Sequence, residues 1–581
     1  MVKSMYKTAA DVIGETATAK EVKRKNKKLG IGISNQGGET YRVPDEGLTR
    51  LVRFLILGSE TGSFYASPEK LTAENTKAVR ATFDAMPEAV GELIRVSKNG
   101  LAPKLEPVLF ALALATRSAN PDTRQAAYAA IPTVCGTASQ LYQFLNFRFA
   151  LGGLNAGKPI KNAKDGAVYG NHASSAGLRR ALTAWINARS NENLAYQAMK
   201  YPQREGVSLR DVLRISRSTK TDDPGRDALY RYIVKGELKP ELDMEIHERL
   251  SAAQTVGSDG MKVDAVANLI REYNLPREVV RTDLLNEVEV WEALLQDMPM
   301  TAMLRNIGVM ESKGVLKSLE NRKLVIDRLT DQERIHKSRL HPINIFTALS
   351  VYQSGAGRLG SKTWDVNPRM LDALSEAFDL SFANVTPSNK KILLAIDISS
   401  SMTAMAHQAS MASALELSGV MALIIVRSEP DVTVIGIDDK IRQLAISGRQ
   451  RPDDVKAYMQ RNIGGATNLH LPFMRVEQDK QGDNTDAIVL FTDSENGAYG
   501  GYHYGYNAQM RTPKSLREYQ EDFVKNRPDR RMVLCQMIAN HRGWVHPSGY
   551  EWDAVGRQSL EIVGFDPTIG KMTSDFLSGQ F

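Results

Sequence analysis

Lys391-Ile-Leu-Leu-Ala-Ile-Asp397-Ile-Ser399-Ser-Ser401-Met402 is the stretch from which the fold is read. An unbroken apolar run, Ile392 to Ile396, ends abruptly in Asp-x-Ser-x-Ser. Such a run reads as a strand buried on both faces, typical of a parallel sheet. The polar cluster then falls at the strand's carboxyl end, where open α/β sheets place their ligands. A carboxylate and two hydroxyls at alternate positions can face one point. All offer hard oxygens, which suit Mg2+ better than Zn2+ or Cu2+.

Two later loops complete the pattern. Gly464-Gly-Ala-Thr467-Asn468 carries a hydroxyl on a glycine-rich turn, and Ala487-Ile-Val-Leu-Phe-Thr-Asp493 is a second apolar strand ending in aspartate. In order and spacing, Asp397, Ser399, Ser401, Thr467 and Asp493 resemble the metal-ion-dependent adhesion site of von Willebrand factor A domains. That resemblance implies a divalent cation, Mg2+ or another. The first aspartate and the hydroxyls would contact it directly or through water, the last aspartate through water, and an acidic partner group often fills the remaining position. The alternative is that Ser399 and Ser401 cap the next helix and Asp493 merely ends a strand.

Around this stretch, β and α elements alternate. Strands are predicted over Ile392–Asp397, Val432–Ile437, Ala487–Asp493 and Arg531–Ile538, and helices over Met405–Arg427, Pro452–Arg461 and Pro513–Asn526. The alternation implies an α/β doubly wound parallel sheet over residues 387–581. The glycine- and tyrosine-rich stretch 497–506 reads as a flexible insertion, with stacking of bases or a partner as the other reading.

Upstream, residues 48–385 read as helix after helix, with no β-branched alternation. Apolar residues recur at three- and four-residue spacing over Ala73–Ser97, Pro107–Arg117, Asp122–Val134, Leu178–Ala188, Leu194–Tyr201, Asp283–Gln296 and Pro342–Gln353. Prolines punctuate these runs. Short helix pairs without a long linker suggest a multidomain chain with an α-solenoid over 31–386, although no strict period is visible. Lys20 to Lys28 is dense in lysine and arginine, so residues 1–30 read as a mobile basic tail, either an RNA-contacting arm or a solvated segment.

The chain has 581 residues, 42% hydrophobic and 24% charged, the balance of a soluble globular protein of several domains. No run of about 18 apolar residues predicts a membrane span, and the N-terminus lacks a secretory apolar core. Cys135 and Cys535 sit in apolar stretches and read as buried thiols, which fits a reducing cytoplasm. The net charge of +7 is by itself weak evidence for nucleic acid.

Several stretches together resemble the Ro autoantigen family, whose helical part, the TROVE module, is shared with telomerase- and vault-associated proteins. They are Leu51-Val-Arg-Phe-Leu-Ile-Leu-Gly-Ser-Glu60, Gly177-Leu-Arg-Arg-Ala-Leu-Thr-Ala-Trp185, Ser208-Leu-Arg-Asp-Val-Leu-Arg-Ile-Ser216, Pro299-Met-Thr-Ala-Met-Leu-Arg-Asn-Ile-Gly308 and Leu340-His-Pro342, followed by the Asp397 site. The resemblance runs from about residue 35 to near the C-terminus; the tail and Ala150 to Asn171 fit it poorly. It implies a monomeric ring of HEAT-like helical repeats closed by the A domain. The outer surface would bind Y-like noncoding RNA, and a basic central hole would take single-stranded 3′ ends of misfolded RNAs. It also implies association with an exonuclease or other RNA-processing enzyme in RNA decay. Neither DNA nor a membrane is an expected partner.

Matched to the family's motif, Lys200, Arg204 and Arg217 fall at positions implicated in RNA contact. The position of Arg217 is commonly histidine in animal relatives; arginine keeps a donor and adds a permanent charge. Arg179, Arg180, Arg210, Arg214 and Lys220 thicken the basic patch, and such a face can follow a phosphate backbone. The alternative is that these cations pair with Asp211, Asp222 and Asp223 on a solvated surface.

Gly355-Ala-Gly357-Arg-Leu-Gly360 matches G-x-G-x-x-G, but it follows a helix rather than a strand and reads as a loop. The histidines are scattered; His541 and His546 lack a cysteine partner for zinc. No phosphate-cradling loop or general base accompanies Asp397, so a non-enzymatic RNA-binding protein is expected. The competing readings are an Mg2+-dependent phosphoryl-transfer enzyme and an adhesion-type protein scaffold without RNA.

Overall fold

The computed structural model describes residues 45–59, 63–65, 71, 76–152, 175–217, 221–357, 362–406, 412–479, 484–493, 514–538 and 554–581. The basic tail, Lys220 and the 497–506 stretch lie outside these residues. Contact density divides the chain into two compact units, the boundary in the main chain falling after Met298.

The first unit is helical. Its helices pack on the helix two positions along: Ala89–Asn99 on Pro121–Val134, Glu106–Ala115 on Ala138–Gly152, Pro121–Val134 on Ala176–Asn187, and Ala176–Asn187 on Leu209–Ser216. This next-but-one contact is the one expected of stacked helices in two layers. The sequence shows why each helix sits where it does. Glu106–Ala115 is apolar all round and buried from Pro107 to Ala115. Leu209–Ser216 buries Leu209, Val212, Leu213 and Ile215 and exposes Arg210 and Arg214. Starts follow side-chain caps: Asn120, Ser175, Ser190 and Asp223 each accept a backbone N–H of the first turn.

Two helix expectations need correction. Ala73–Ser97 is not one helix; Met86 to Glu88 separates Lys77–Ala85 from Ala89–Asn99, because Pro87 has no N–H for the ladder. Asp283–Gln296 is a 3-10 turn, Leu284–Asn286, followed by a shorter α-helix, Val288–Leu295.

The second unit combines helices from residue 300 onward with a seven-stranded sheet. The strands are β1 (Ser63–Tyr65), β2 (Lys391–Asp397), β3 (Asp431–Ile437), β4 (Ile441–Gln443), β5 (Ala487–Thr492), β6 (Arg531–Gln536) and β7 (Ser559–Val563), in spatial order β1-β7-β6-β5-β2-β3-β4. Every neighbour is parallel except β3–β4. The sheet is therefore mixed, not purely parallel: the short Asp438–Lys440 link allows only a hairpin return. β1 also corrects the expectation of helices alone before residue 385; three residues from that stretch pair with β7. The helix expected from Met405 starts at Ala414, where Ser413 and Glu416 form a capping box.

The sheet core lies on both faces. Leu393, Ala395, Ile488 and Leu490 pack with Phe473, Tyr519 and Phe523 on one face. The Ala414–Ser428 helix is buried along most of its length. Cys135 and Cys535 are free, buried thiols, with burial raising both above their ordinary range. No described helix is long and apolar enough to cross a membrane.

His341 joins the helical and sheet parts of this unit. Its Nδ1 accepts the Ile343 N–H at 3.3 Å, capping Pro342–Gln353. Its Nε2 is buried without a hydrogen-bond partner among the described residues. The ring lies against Gly570 of the C-terminal helix Ile569–Leu577, where an added methyl would overlap the imidazole. Burial, with Lys571 nearby, pushes the His341 pKa down to about 3. The unfolded chain therefore takes up a proton near pH 6.5 that the folded chain refuses, and stability falls as pH drops from about 6.5 towards 3.

Two outcomes follow. His341→Asn retains a capping side chain but removes the titration, so the wild-type lead in unfolding free energy should shrink by up to about 1.4 kcal/mol per pH unit between pH 6 and 4.5. Parallel denaturation curves for the two proteins would contradict this. Gly570→Ala should destabilise by about 1–3 kcal/mol through overpacking, read as a lowered melting temperature.

Candidate functional site

β2 lies between β3, which follows it in the chain, and β5, on its other side. The order of strands reverses there, and it is outside the carboxyl ends of such strands, here β2 and β5, that open α/β sheets place a ligand crevice. Asp397 is the last residue of β2 and Asp493 directly follows β5; they are 0% and 1% exposed. Ser399 donates its backbone N–H to Asp397 Oδ1 at 2.9 Å. Ser399 Oγ and Ser401 Oγ are 2.9 Å apart. Thr467 Oγ1 lies 3.2 and 3.3 Å from the two Asp397 oxygens. The crevice thus gathers Ser399, Ser401 and Thr467 around Asp397, and Asp493 acts on it electrostatically. Ser399 makes no capping bond, and the next long helix is capped by Ser413, so the capping alternative does not describe these serines.

Burial pushes the Asp397 carboxyl up to about 6, against the hydrogen bonds it accepts, and the Asp493 charge adds to the rise. Two buried carboxylates and three hydroxyls form a hard-oxygen donor set matched to Mg2+. No grouping of three or more His, Cys, Asp or Glu side chains occurs among the described residues, so the donor set here rests on two carboxylates with hydroxyls rather than on a cluster of strong ligands.

Two supporting residues escaped the sequence reading. Thr492 donates to Asp397 Oδ2 at 2.8 Å, although it reads as the end of an apolar strand. Asp438, fully buried after β3, pairs with Arg442 and accepts the Gly465 N–H at 3.3 Å. A side chain on Gly464 would collide with the Asp438 carboxylate, so the Gly-Gly sequence lets the Thr467 loop close on it. Asp438 at a strand's carboxyl end was the available signal.

The predicted basic residues lie in the first unit. Lys200 ends the Asn191–Lys200 helix and binds Glu278 at 2.7 Å. Arg204 begins a tight turn closed by mutual hydrogen bonds with Val207 at 2.8 and 3.0 Å, with Glu205 and Gly206 both at positive φ. Its guanidinium lies 3.3 Å from Ser139 Oγ and 3.4 Å from Glu106. Arg210, Arg214 and Arg217 are exposed along and just beyond one helix, Arg217 in the left-handed region at φ 58°. Arg180 is exposed on the neighbouring helix, with Arg179 half-buried beside it.

The acids expected as alternative partners do something else. Asp211 turns back to Ser208, accepting its N–H at 3.0 Å and its hydroxyl at 2.7 Å. Asp223 caps Pro224–Lys235 through the Arg226 N–H. Lys200 and Arg204 are paired, but with distant Glu278 and Glu106. Arg180, Arg210, Arg214 and Arg217 have no ion-pair partner among the described residues. Of the Gly355 stretch, Gly355 to Gly357 follow Pro342–Gln353 as a turn, with Ala356 bridging Thr363, and residues 358–360 lie outside the described residues.

Comparison with known proteins agrees with this arrangement. Residues 34–255 and 274–356 match the model of the TROVE domain, and residues 391–577 match that of the Ro60 vWA domain. A Deinococcus radiodurans protein named RNA-binding protein RO60 is 32% identical over 94% of this chain and 95% of its own length. A Caenorhabditis elegans protein of the same name is 28% identical over 97% of this chain and 92% of its own. The crystal structure of the Deinococcus radiodurans RO (RSR) protein superposes with a TM-score of 0.75 at 30% identity, over 92% of this chain and all of that one. Helical unit, switch-point sheet and sequence agree from end to end, and the chain belongs to the Ro family, with a TROVE domain followed by a Ro-type von Willebrand factor A domain.

Proposed function

We propose that this chain is a non-enzymatic RNA-binding protein whose basic helical surface holds a small structured noncoding RNA of the Y type. The observation that carries the proposal is the group of exposed cations on adjacent helices, Arg180, Arg210, Arg214 and Arg217, without carboxylate partners among the described residues. The names of both relatives, RNA-binding protein RO60, support it. Lys200, Arg204 and Arg179 extend the surface, and Lys220 adds a further cation by sequence. Contacts of this kind read phosphate spacing and A-form shape rather than base sequence. That property suits a second class of ligand, the single-stranded 3′ ends of misfolded RNAs, and a role in noncoding RNA quality control and decay in the cytoplasm beside an exonuclease or other processing enzyme.

In this reading Asp397, Ser399, Ser401, Thr467 and Asp493 hold Mg2+ or another divalent cation. Bound there, the ion supplies charge neutralisation and a coordination position for an acidic partner group. Ser399 and Thr492 orient the Asp397 carboxylate, and Asp438 with Gly464 keeps Thr467 within reach.

Two measurements test these assignments. Replacing Lys200, Arg204 and Arg217 together with Ala should weaken binding of a structured noncoding RNA and reduce the slope of log K against log salt by about 2–3. An unchanged slope, or negligible affinity of the wild type at low salt, counts against the assignment. Titration calorimetry should find one Mg2+ site in the wild type, with a higher melting temperature when the ion is present. Asp397→Asn should lose both effects, since it removes the central charged ligand. Equal Mg2+ uptake by both proteins would place the ion elsewhere.

A further inference from the structure

A cleft of about 1010 Å³ opens in the first unit, lined by residues from the helices Lys77–Ala85, Glu106–Ala115, Pro121–Val134, Ala138–Gly152 and Ala176–Asn187. Its described lining includes Arg80, Arg117, Arg124, Arg148 and Arg180, with Tyr128, and no carboxylate. Arg148 is only 4% exposed. Its Nη2 donates to Tyr128 Oη at 3.1 Å, and its Nε has no hydrogen-bond partner among the described residues. Tyr128 Oη is in turn 2.9 Å from Ser175 Oγ. The tyrosine ring lies against Gly177, where an added methyl would overlap it. Arg124 donates to the carbonyls of Ser118 and Ala119 at 2.7 and 2.8 Å, which spreads none of its charge onto an acid.

Among the described residues, the carboxylate paired with a lining arginine does little to balance this. Asp84 is 3.9 Å from Arg80 and already accepts from Ser118 Oγ at 2.6 Å and Ala119 N at 2.7 Å. Burial holds the Arg117 pKa below its ordinary range, and repulsion from Arg148 and Arg80 lowers it further. By sequence, residues 153–174 carry Lys158, Lys161 and Lys164 against Asp165 alone, so they bring no excess of negative charge. Burying like charges together is unfavourable unless a counter-charge joins them. Guanidinium groups match phosphate oxygens two at a time, and a tyrosine hydroxyl adds a neutral donor.

We propose that this cleft is a phosphate pocket in which Arg117, Arg124, Arg148 and Arg180, with Tyr128, bind a terminal phosphomonoester of RNA. The proposal rests on the RNA-binding reading above and adds a pocket in which only Arg180 is shared with the surface described there. A terminal monoester carries about two negative charges near neutral pH, whereas an internal diester carries one, so the crowded cations favour the end of a strand.

The test uses the full chain and one single-stranded oligoribonucleotide in four forms: 5′-phosphorylated, 3′-phosphorylated, hydroxyl-ended and circular. At least one phosphorylated end should bind about tenfold or more tighter than the hydroxyl-ended strand, the gain expected for hydrogen bonds to a charged group. That gain should vanish in Arg148→Met and in the more exposed Arg117→Gln, the second variant guarding against misfolding of the first. Both variants should keep the affinity for structured RNA that depends on Lys200 and Arg204. Equal affinity for all four forms in the wild type, unaltered in both variants, overturns the pocket. Equal affinity for all four that falls in Arg117→Gln overturns the terminal assignment and transfers the pocket to backbone phosphate. Inorganic pyrophosphate separates the two readings. If no RNA binds but pyrophosphate raises the melting temperature of the wild type and not of Arg117→Gln, the RNA reading fails and the phosphate pocket stands; absence of both effects removes both.

Discussion

Like charges crowded where water is scarce are the constraint on which this molecule turns. In the sheet unit, Asp397 and Asp493 lie buried at the ends of two adjacent strands. In the helical unit, Arg148 and Arg117 crowd one cleft. Neither arrangement reduces the desolvation cost of its charges from within, as an ion pair would. Each is tolerable because the surrounding fold is otherwise well satisfied: parallel strands buried on both faces below the carboxylates, capped helices around the guanidiniums. Opposite signs in the two units suit opposite classes of ligand, a small hard cation and a polyanion. On the proposed reading, the fold would thus separate the two binding tasks by charge.

Much of this was legible because it is local. The Ile392–Ile396 run names a buried strand, its polar end names a site, and the doubly wound order follows from alternation. Pro342–Gln353 was read to the residue, since His341 and Pro342 mark a helix start. The family resemblance supplied what spacing alone does not, the expectation that Lys200, Arg204 and Arg217 contact RNA. What stayed hidden depends on distance in sequence. β1 is three residues with no periodicity to detect, and its register with β7 joins segments almost a full chain apart. The partners of Lys200 and Arg204 lie 78 and 98 residues away. Arg180 stood out beside Arg179, but Arg80, Arg124 and Arg148 lie on separate helices and Arg117 in a turn, with no neighbour that marks them. Thr492 was hidden for another reason, because a threonine ending an apolar strand looks like β-propensity rather than a hydrogen-bond donor to Asp397.

A few described residues take up a left-handed backbone conformation without being glycine. Six described non-glycine residues have positive φ, and three of these are asparagines, which tolerate that region. Glu205, Arg217 and Arg339 do not share that tolerance; the first two flank the helix Leu209–Ser216, and Arg339 ends Gln332–Ser338. Glycine or asparagine at Arg217 would end the helix with less strain. Arg339 ends its helix in the same way, left-handed and exposed, and a cation at either corner meets the helix's negative C-terminal end. Under the proposed RNA-binding reading, Arg217 would also place a charge next in line after Arg210 and Arg214.

The paired cations follow a different logic from the unpaired ones. Lys200 must exchange Glu278 for a phosphate, so much of its gain on binding is cancelled by the ion pair it gives up. Arg204 faces the same exchange with Glu106, though at 3.4 Å the pair is looser. Arg210, Arg214 and Arg217 give up only water. On the proposed reading all of these cations would add to affinity, and Lys200 and Arg204 would also discriminate, since each must give up a weak, partly exposed ion pair. Such a surface would hold RNAs of suitable shape without reading a base.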